Sequence, residues 1–312
     1  ILTEKPYPIK GLYLQGSNAL LAYASSQKVR EAFQKLEFIA AVDFFHTPTT
    51  QMADILLPSA TWLERDFVIS SVQVSPDCVH LQQKTVQIGE CRSDVTILNQ
   101  LARRMGLEHF FENEQAMCDY ILSPLDMTFQ VLKERKHYCV PMKYKKFEKN
   151  GFNTPSGKIE LSSSIIARVG SDPLPQYVES LESPVSTPDL ASEFPFILTT
   201  GGISPVYRHT ELRNVPWLRE IDPHLNAHMN NQAGRRLRLQ SGDRVIIESL
   251  RGQIKVRIWL HDGIDPRVVQ VGHGWPNQEN VNLLTDNRLM AELVSSTCLR
   301  GLLCRVYKEV AP

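Results

Sequence analysis

Residues 42–66, VDFFHTPTTQMADILLPSATWLERD, constrain this chain more than any other stretch. An apolar run, 38–42, ends in an acid, Asp43. A hydroxyl-rich loop follows, with Thr47, Thr49 and Thr50, then a short helical turn and a second apolar run, 55–57, stopped by Pro58. Short apolar runs bounded by punctuation read as buried parallel strands. In open α/β sheets, ligands sit beyond the carboxyl ends of such strands. Asp43 and the threonines therefore stand where a nucleotide would be held.

The flanks support the same architecture. Residues 10–15 predict a first strand, which runs into Gly16-Ser17-Asn18. A glycine there lets the backbone turn sharply and approach a ligand. Residues 27–36 carry Val29, Ala32, Phe33 and Leu36 on one face and predict a helix. Alternating strands and helices imply a parallel sheet with right-handed crossovers. Residues 68–74 and 80–86 predict further strands. Ser93 or Asp94 caps a helix that reaches Met105, and helices follow at 114–122 and 128–135. The lysine-rich stretch 138–150 predicts a solvated loop, 151–161 a turn and short strand, and 162–169 a short helix. Glu64-Arg65-Asp66 reads as a surface ion cluster.

Residues 172–192 are rich in Pro and Ser and have no apolar period, which marks a linker. It divides an α/β domain, 1–171, from a second domain, 193–312. Beyond it come short strands and glycine turns, the texture of a β-barrel.

With 312 residues the chain is long enough for two domains. Basic and acidic residues balance at 34 each, so there is no bulk electrostatic reason to expect nucleic acid. No apolar run is long enough to span a bilayer. The chain opens on Ile1 rather than Met, and we read it as a piece of something longer. The six cysteines include no C-x-x-C pair, so zinc or iron–sulfur ligation by this chain is not expected, and free thiols are. The histidines of the second domain have no metal-ligand spacing either. No serine lies in a nucleophile elbow. What recurs is anion and heterocycle chemistry. Glycine turns lie at Gly16, Gly201-Gly202 and Gly272-His-Gly274; Arg208, His209 and Arg213 add positive charge; Asn280, Asn282 and Thr285 add hydrogen-bonding groups. Together they point to a large, phosphorylated, heterocyclic ligand.

These residues also carry a family resemblance. Asp43, Phe45, Thr47, Thr49, Ala53, Asp54, Leu57, Pro58 and Glu64 resemble, in order and spacing, a segment of the molybdopterin oxidoreductases of the dimethyl-sulfoxide-reductase superfamily. Gly16-Ser17-Asn18 is similar to that family's upstream loop, and 151–160 to the segment joining its cofactor domains. Thr199-Thr-Gly-Gly202, His209, Arg213, Asn214, Asn230, Ala233, Gly242-Asp243, Arg251-Gly252 and 282–285 resemble its dinucleotide-binding barrel. Many relatives have Gly-Arg where this chain has Gly201-Gly202, so one basic contact is either absent or supplied by Arg208.

The resemblance implies the third and fourth domains of such an enzyme: a Rossmann-like α/β parallel-sheet domain, then a mainly β barrel of the double-psi type. It implies a bis-molybdopterin guanine dinucleotide with molybdenum or tungsten. Metal and dithiolenes would do the redox chemistry, and the protein would position them. Gly16, Ser17 and Asn18 would lie near a diphosphate, and Asp43 would accept from guanine or ribose, with Thr47 and Asp54 beside it. Thr199, Gly201, Gly202, Arg208, His209, Asn214 and Asn282 would contact the cofactor from the barrel. The implied partners are an N-terminal half of the same polypeptide, carrying a 4Fe–4S cluster, and an iron–sulfur electron-transfer subunit. The implied setting is a bacterial or archaeal cytoplasm or periplasm. The fragment alone is expected to be inactive. The alternatives are a cofactor-free structural subunit of this fold, as in the large iron–sulfur subunit of respiratory complex I, or an unrelated small-molecule-binding barrel.

Overall fold

A computed structural model describes residues 1–70, 77–108, 111–202, 204–288, 297 and 299–309. The chain divides into two compact units. The first holds residues 1–41, 45–55 and 175–312, and the second 42–44 and 56–174.

The amino-terminal elements are β1 (Gly11–Gln15), α1 (Ala19–Ala22), α2 (Ser26–Gln34), β2 (Phe38–Asp43) and β3 (Ile55–Pro58). The strands form a parallel sheet in the order β1-β2-β3, as the alternating pattern predicts. Phe33 of α2 and Ile39 of β2 pack with Ala19, which is how the amphipathic face of α2 is used.

In the second unit follow β4 (Phe67–Ile69), β5 (Cys78–Gln82), α3 (Asp94–Arg104), α4 (Glu114–Leu122), α5 (Phe129–Arg135), β6 (His137–Cys139), α6 (Lys146–Asn150) and α7 (Ser164–Arg168). Strands β4-β5-β6 form an antiparallel sheet over a core of Val68, Val79, Leu122, Phe129 and Leu132. The predicted strand segment 71–74 lies outside the described residues.

Three expectations need correcting here. The stretch 138–150 is not all loop, because it contains β6 and α6. Residues 151–161 form no strand. Phe152 N donates to Gly157 O at 2.9 Å and Thr154 Oγ1 to Lys158 O at 2.6 Å, so the backbone is satisfied inside the loop. Nor are all cysteines free, for Cys78 and Cys139 form a disulfide. Spacing along the chain hid it: the two lie 61 residues apart and meet only because β5 pairs with β6. Cys118 and Cys304 are buried thiols, and burial pushes Cys118 up to about 11. Cys298 lies outside the described residues.

The rest of the chain is α8 (Pro188–Glu193), β7 (Phe196–Gly202), α9 (Pro216–Ile221), β8 (Asn226–Met229), α10 (Asn231–Arg236), β9 (Arg244–Ser249), β10 (Gly252–Leu260), β11 (Val268–Gly272) and β12 (Arg300–Lys308). The six strands close a barrel in the order β10-β8-β11-β7-β12-β9. Two of its pairs, β10·β8 and β11·β7, are parallel, and the others are antiparallel. Alternation along each strand sends Val245, Ile247, Ile254, Val256, Ile258 and Val269 inward, and all are buried. The segment read as a linker joins this unit from residue 175. Its buried Glu182 meets Arg251 at 2.7 Å, and Arg251 also bonds buried Asp286 at 3.1 Å. No helix among the described residues is long and apolar enough to cross a membrane.

Glu64 has a more definite use than a surface ion cluster. Its buried carboxylate accepts from the Cys91 thiol at 2.8 Å, Thr61 N at 3.0 Å, Thr61 Oγ1 at 2.9 Å and Ile88 N at 2.9 Å. Those donors, the Cys91 thiol foremost, hold its pKa down at about 2. A depressed carboxyl pKa stabilises the fold above the unfolded value of 4.5 and loses that effect as pH falls toward 2. Glu64→Gln is therefore expected to lower the melting temperature at neutral pH and to flatten its fall between those limits. Melting curves of both proteins across that range check it, and parallel pH profiles would refute it.

Candidate functional site

At the end of β1, Gly16 has φ +56°, and a side chain there would meet no atom within 4 Å. Glycine is required by the conformation, and the space beside it is open. Ser17 and Asn18 follow, half-buried. Asn18 Oδ1 accepts from Thr49 Oγ1 at 2.7 Å, and Thr49 Oγ1 accepts from Leu20 N at 3.0 Å. Thr47 and Thr50 are buried and cap one another, Thr47 N donating to Thr50 Oγ1 at 2.7 Å and Thr50 N to Thr47 Oγ1 at 3.1 Å. The hydroxyl-rich sequence thus builds its own loop. Asp54 accepts from Ile39 N at 2.7 Å, tying the loop back to β2. Asp43 ends β2 and accepts from Phe44 N at 2.7 Å.

The barrel gathers a second group. Arg213 packs in the corner formed by the rings of Tyr207 and Trp275, which meet edge to face, its guanidinium 4.4 Å from each centroid. Its Nε donates to His209 O at 2.9 Å and one terminal nitrogen to His273 O at 2.5 Å. The other terminal nitrogen, Nη1, is buried and has no hydrogen-bond partner. Burial pulls Arg213 down to about 10, which still leaves it charged at neutral pH. His273 is buried too. Desolvation first, then His209, Arg300 and Arg213, hold it down to about 4, so its imidazole stays neutral. His209 has φ +52°, in the left-handed region, and its ring lies 5.6 Å from that of His273. Gly274 is obligatory beside it, because a Cβ there would come within 2.2 Å of His209 O.

A cavity of about 540 Å³ opens against Arg213 and Trp275, lined also by Asp222, His224, His228 and Gln270. Gly202 and Gly272 pair across β7 and β11 on its wall. A Cβ on Gly272 would press on Gly202 O at 3.2 Å, so small residues keep the wall open. Gly201 lies beneath the Arg300 guanidinium, where a Cβ would approach to 2.8 Å. Thr199 pairs with both Gln270 and Arg300. Arg208, His209 and Asn214 are exposed on the following loop. With Arg213, Arg300 and neutral His273 together, and a buried N–H unpaired, the arrangement suits an anion that accepts hydrogen bonds. Among the described residues, no three His, Cys, Asp or Glu side chains are placed to hold a metal ion.

Asn280, Asn282 and Thr285 form an internal hydrogen-bond network. Asn282 is fully buried; its amide donates to Leu21 O at 2.8 Å and accepts from Thr285 Oγ1 at 3.0 Å. Asn280 donates to Leu20 O at 2.9 Å and to Ser26 Oγ at 3.0 Å, and Ser25 N donates to Thr285 Oγ1 at 3.3 Å. In this structure these amides bond the protein's own backbone and neighbouring hydroxyls. Arg300, by contrast, is a basic group that the sequence reading passed over. Only the pairing of β12 with β7 brings it over Gly201.

Two family models match the chain: molybdopterin oxidoreductase over residues 2–104, and the molydopterin dinucleotide binding domain over residues 196–297. The acetylene hydratase of Syntrophotalea acetylenica is 34% identical over 89% of this chain and 39% of its own length. The probable oxidoreductase YyaE of Bacillus subtilis is 29% identical over 97% of this chain and 46% of its own. The solved structure of acetylene hydratase from Pelobacter acetylenicus superposes with a TM-score of 0.89 at 29% identity, covering 98% of this chain and 45% of that one. The chain thus spans under half the length of these relatives.

Asn282→Ala is expected to destabilise the chain with no ligand present, by about 1–3 kcal/mol, because the Leu21 carbonyl is left buried and unpaired. Urea unfolding checks this. An unchanged midpoint would mean that the amide is not structural.

Proposed function

This chain belongs to the molybdopterin oxidoreductases of the dimethyl-sulfoxide-reductase superfamily, as a portion that includes the molybdopterin dinucleotide-binding region, and from that premise we propose that it binds and positions a bis-molybdopterin guanine dinucleotide. When bound, that group supplies the redox-active molybdenum or tungsten. The residues here supply binding and orientation.

The observation that carries this reading is Arg213, which lines the barrel cavity and has a buried Nη1 without a hydrogen-bond partner. An orphaned buried donor on a cation costs free energy unless an acceptor meets it, and a phosphate or pterin oxygen is such an acceptor. Arg300, Arg208 and His209 surround the same anion with positive charge and donors, Thr199 and Asn214 add polar contacts, and Gly201 and Gly202 allow close approach. Neutral His273 can donate or accept without adding charge. The open edge at Gly16, Ser17 and Asn18 takes a diphosphate, and Asp43 accepts from the guanine edge or ribose hydroxyls. Thr47 and Asp54 hold the loop that presents them. Catalysis, substrate choice, any 4Fe–4S cluster and any electron-transfer partner are assigned to regions outside these residues. On this reading the 312-residue chain alone neither turns over substrate nor retains molybdenum or tungsten.

In the intact protein, Arg213→Gln and Asp43→Ala are each expected to weaken cofactor retention by about 1.5–3 kcal/mol, the range for a hydrogen bond to a charged group. Guanine and molybdenum released on denaturation measure it. Unchanged content in both variants would overturn the assignment, and absence of guanine from the wild type would favour a cofactor-free structural subunit.

A further inference from the structure

The disulfide lies in a pattern that the cofactor reading does not use. Strands β5 and β6 pair antiparallel, with Cys78 opposite Cys139, Val79 opposite Tyr138 and His80 opposite His137. Side chains alternate across a strand. Val79 and Tyr138 turn into the core of this unit. Cys78, His80, His137 and Cys139 therefore share the opposite face, where His137 and Cys139 are exposed and the other two partly so.

The backbone fixes how close these pairs come. Leu81 N donates to Lys136 O at 3.0 Å and Val140 N to Asp77 O at 2.8 Å. That places the Cys78/Cys139 and His80/His137 pairs at the positions without mutual hydrogen bonds, where facing side chains approach most closely. The cysteine Cα atoms are 4.0 Å apart, and the imidazole centroids 6.4 Å apart and stacked. Two thiols and two imidazoles thus occupy adjacent rungs of one ladder. While the sulfurs are bonded to each other they bind nothing, and no metal site stands there.

We propose that reduction converts this quartet into a binding site for one Zn²⁺ ion, held by Cys78, His80, His137 and Cys139. An external dithiol reductant transfers two electrons and two protons to the Cys78–Cys139 disulfide. The S–S bond breaks, two thiols form, and the reductant becomes its own disulfide. Zinc then binds as the two thiols release their protons to solvent. Two thiolates and two imidazoles are a tetrahedral zinc set, with Zn–S about 2.3 Å and Zn–N about 2.0 Å. The ladder does not depend on the disulfide, since the main-chain bonds and the Val79 and Tyr138 contacts hold the register on the other face. The hairpin is cross-linked in both states, by sulfur when oxidised and by metal when reduced.

The test uses the full chain, reduced anaerobically with a phosphine and freed of metal. Titration with Co²⁺ is expected to give one tetrahedral, thiolate-ligated ion per chain, displaced stoichiometrically by Zn²⁺. The oxidised chain should give none. His80→Ala/His137→Ala leaves the disulfide and the core face intact, and should weaken Zn²⁺ binding to the reduced chain by on the order of 100-fold or more, beyond the loss of an outer-shell partner. Cys78→Ser/Cys139→Ser should abolish the thiolate-to-cobalt absorption, excluding Cys91, Cys118, Cys298 and Cys304 as its source. A reduced chain without the tetrahedral cobalt spectrum, a double-histidine variant of unchanged affinity, or a disulfide that resists reduction in the folded chain would each overturn the proposal.

Discussion

The first unit depends on a small buried amide network. Asn280 and Asn282 spend their side chains on the carbonyls of Leu20 and Leu21 and on Ser26, and Thr285 receives Ser25 N. The partners are some 260 residues apart in the chain. Each carbonyl there is buried, so losing its donor leaves a desolvated acceptor. This fixes the β1–α1–α2 segment against the barrel's 280–285 turn, a fixed frame for both Gly16-Ser17-Asn18 and Arg213.

Charge is arranged locally rather than globally. The chain has formal net charge +0, yet Arg213 and Arg300 lie close enough to His273 to add to burial, the main cause, in keeping it neutral. A neutral total therefore hides a cationic site, held open by glycines and braced by Tyr207 and Trp275. Two aromatic rings, set edge to face, hold a half-buried arginine in place while one of its nitrogens has no acceptor.

Much of the fold was legible in the sequence because it is written in local periods. The α4 span, the Ser93 cap and the barrel of short strands follow from periodicity, capping and turn residues. What was illegible needs pairing. The Cys78–Cys139 bond and the position of Arg300 exist only once β5 meets β6 and β12 meets β7. The bond from Asn282 to Leu21 likewise joins segments that no local pattern links. The hydroxyl-rich cluster was visible in the sequence, but its use was not: Thr47, Thr49 and Thr50 serve the loop's internal bonding.

The barrel has a temporal side. Its order places β12 between β7 and β9, with antiparallel pairing on both flanks. This closing stave is the last strand described and lies about a hundred residues beyond β7. During synthesis from the amino end, β7 and β9 emerge with their unpaired edges exposed, and open edges recruit other strands. Closure waits for β12, so a chain halted before residue 300 carries two sticky edges, and its hazard is aggregation rather than loss of a ligand contact.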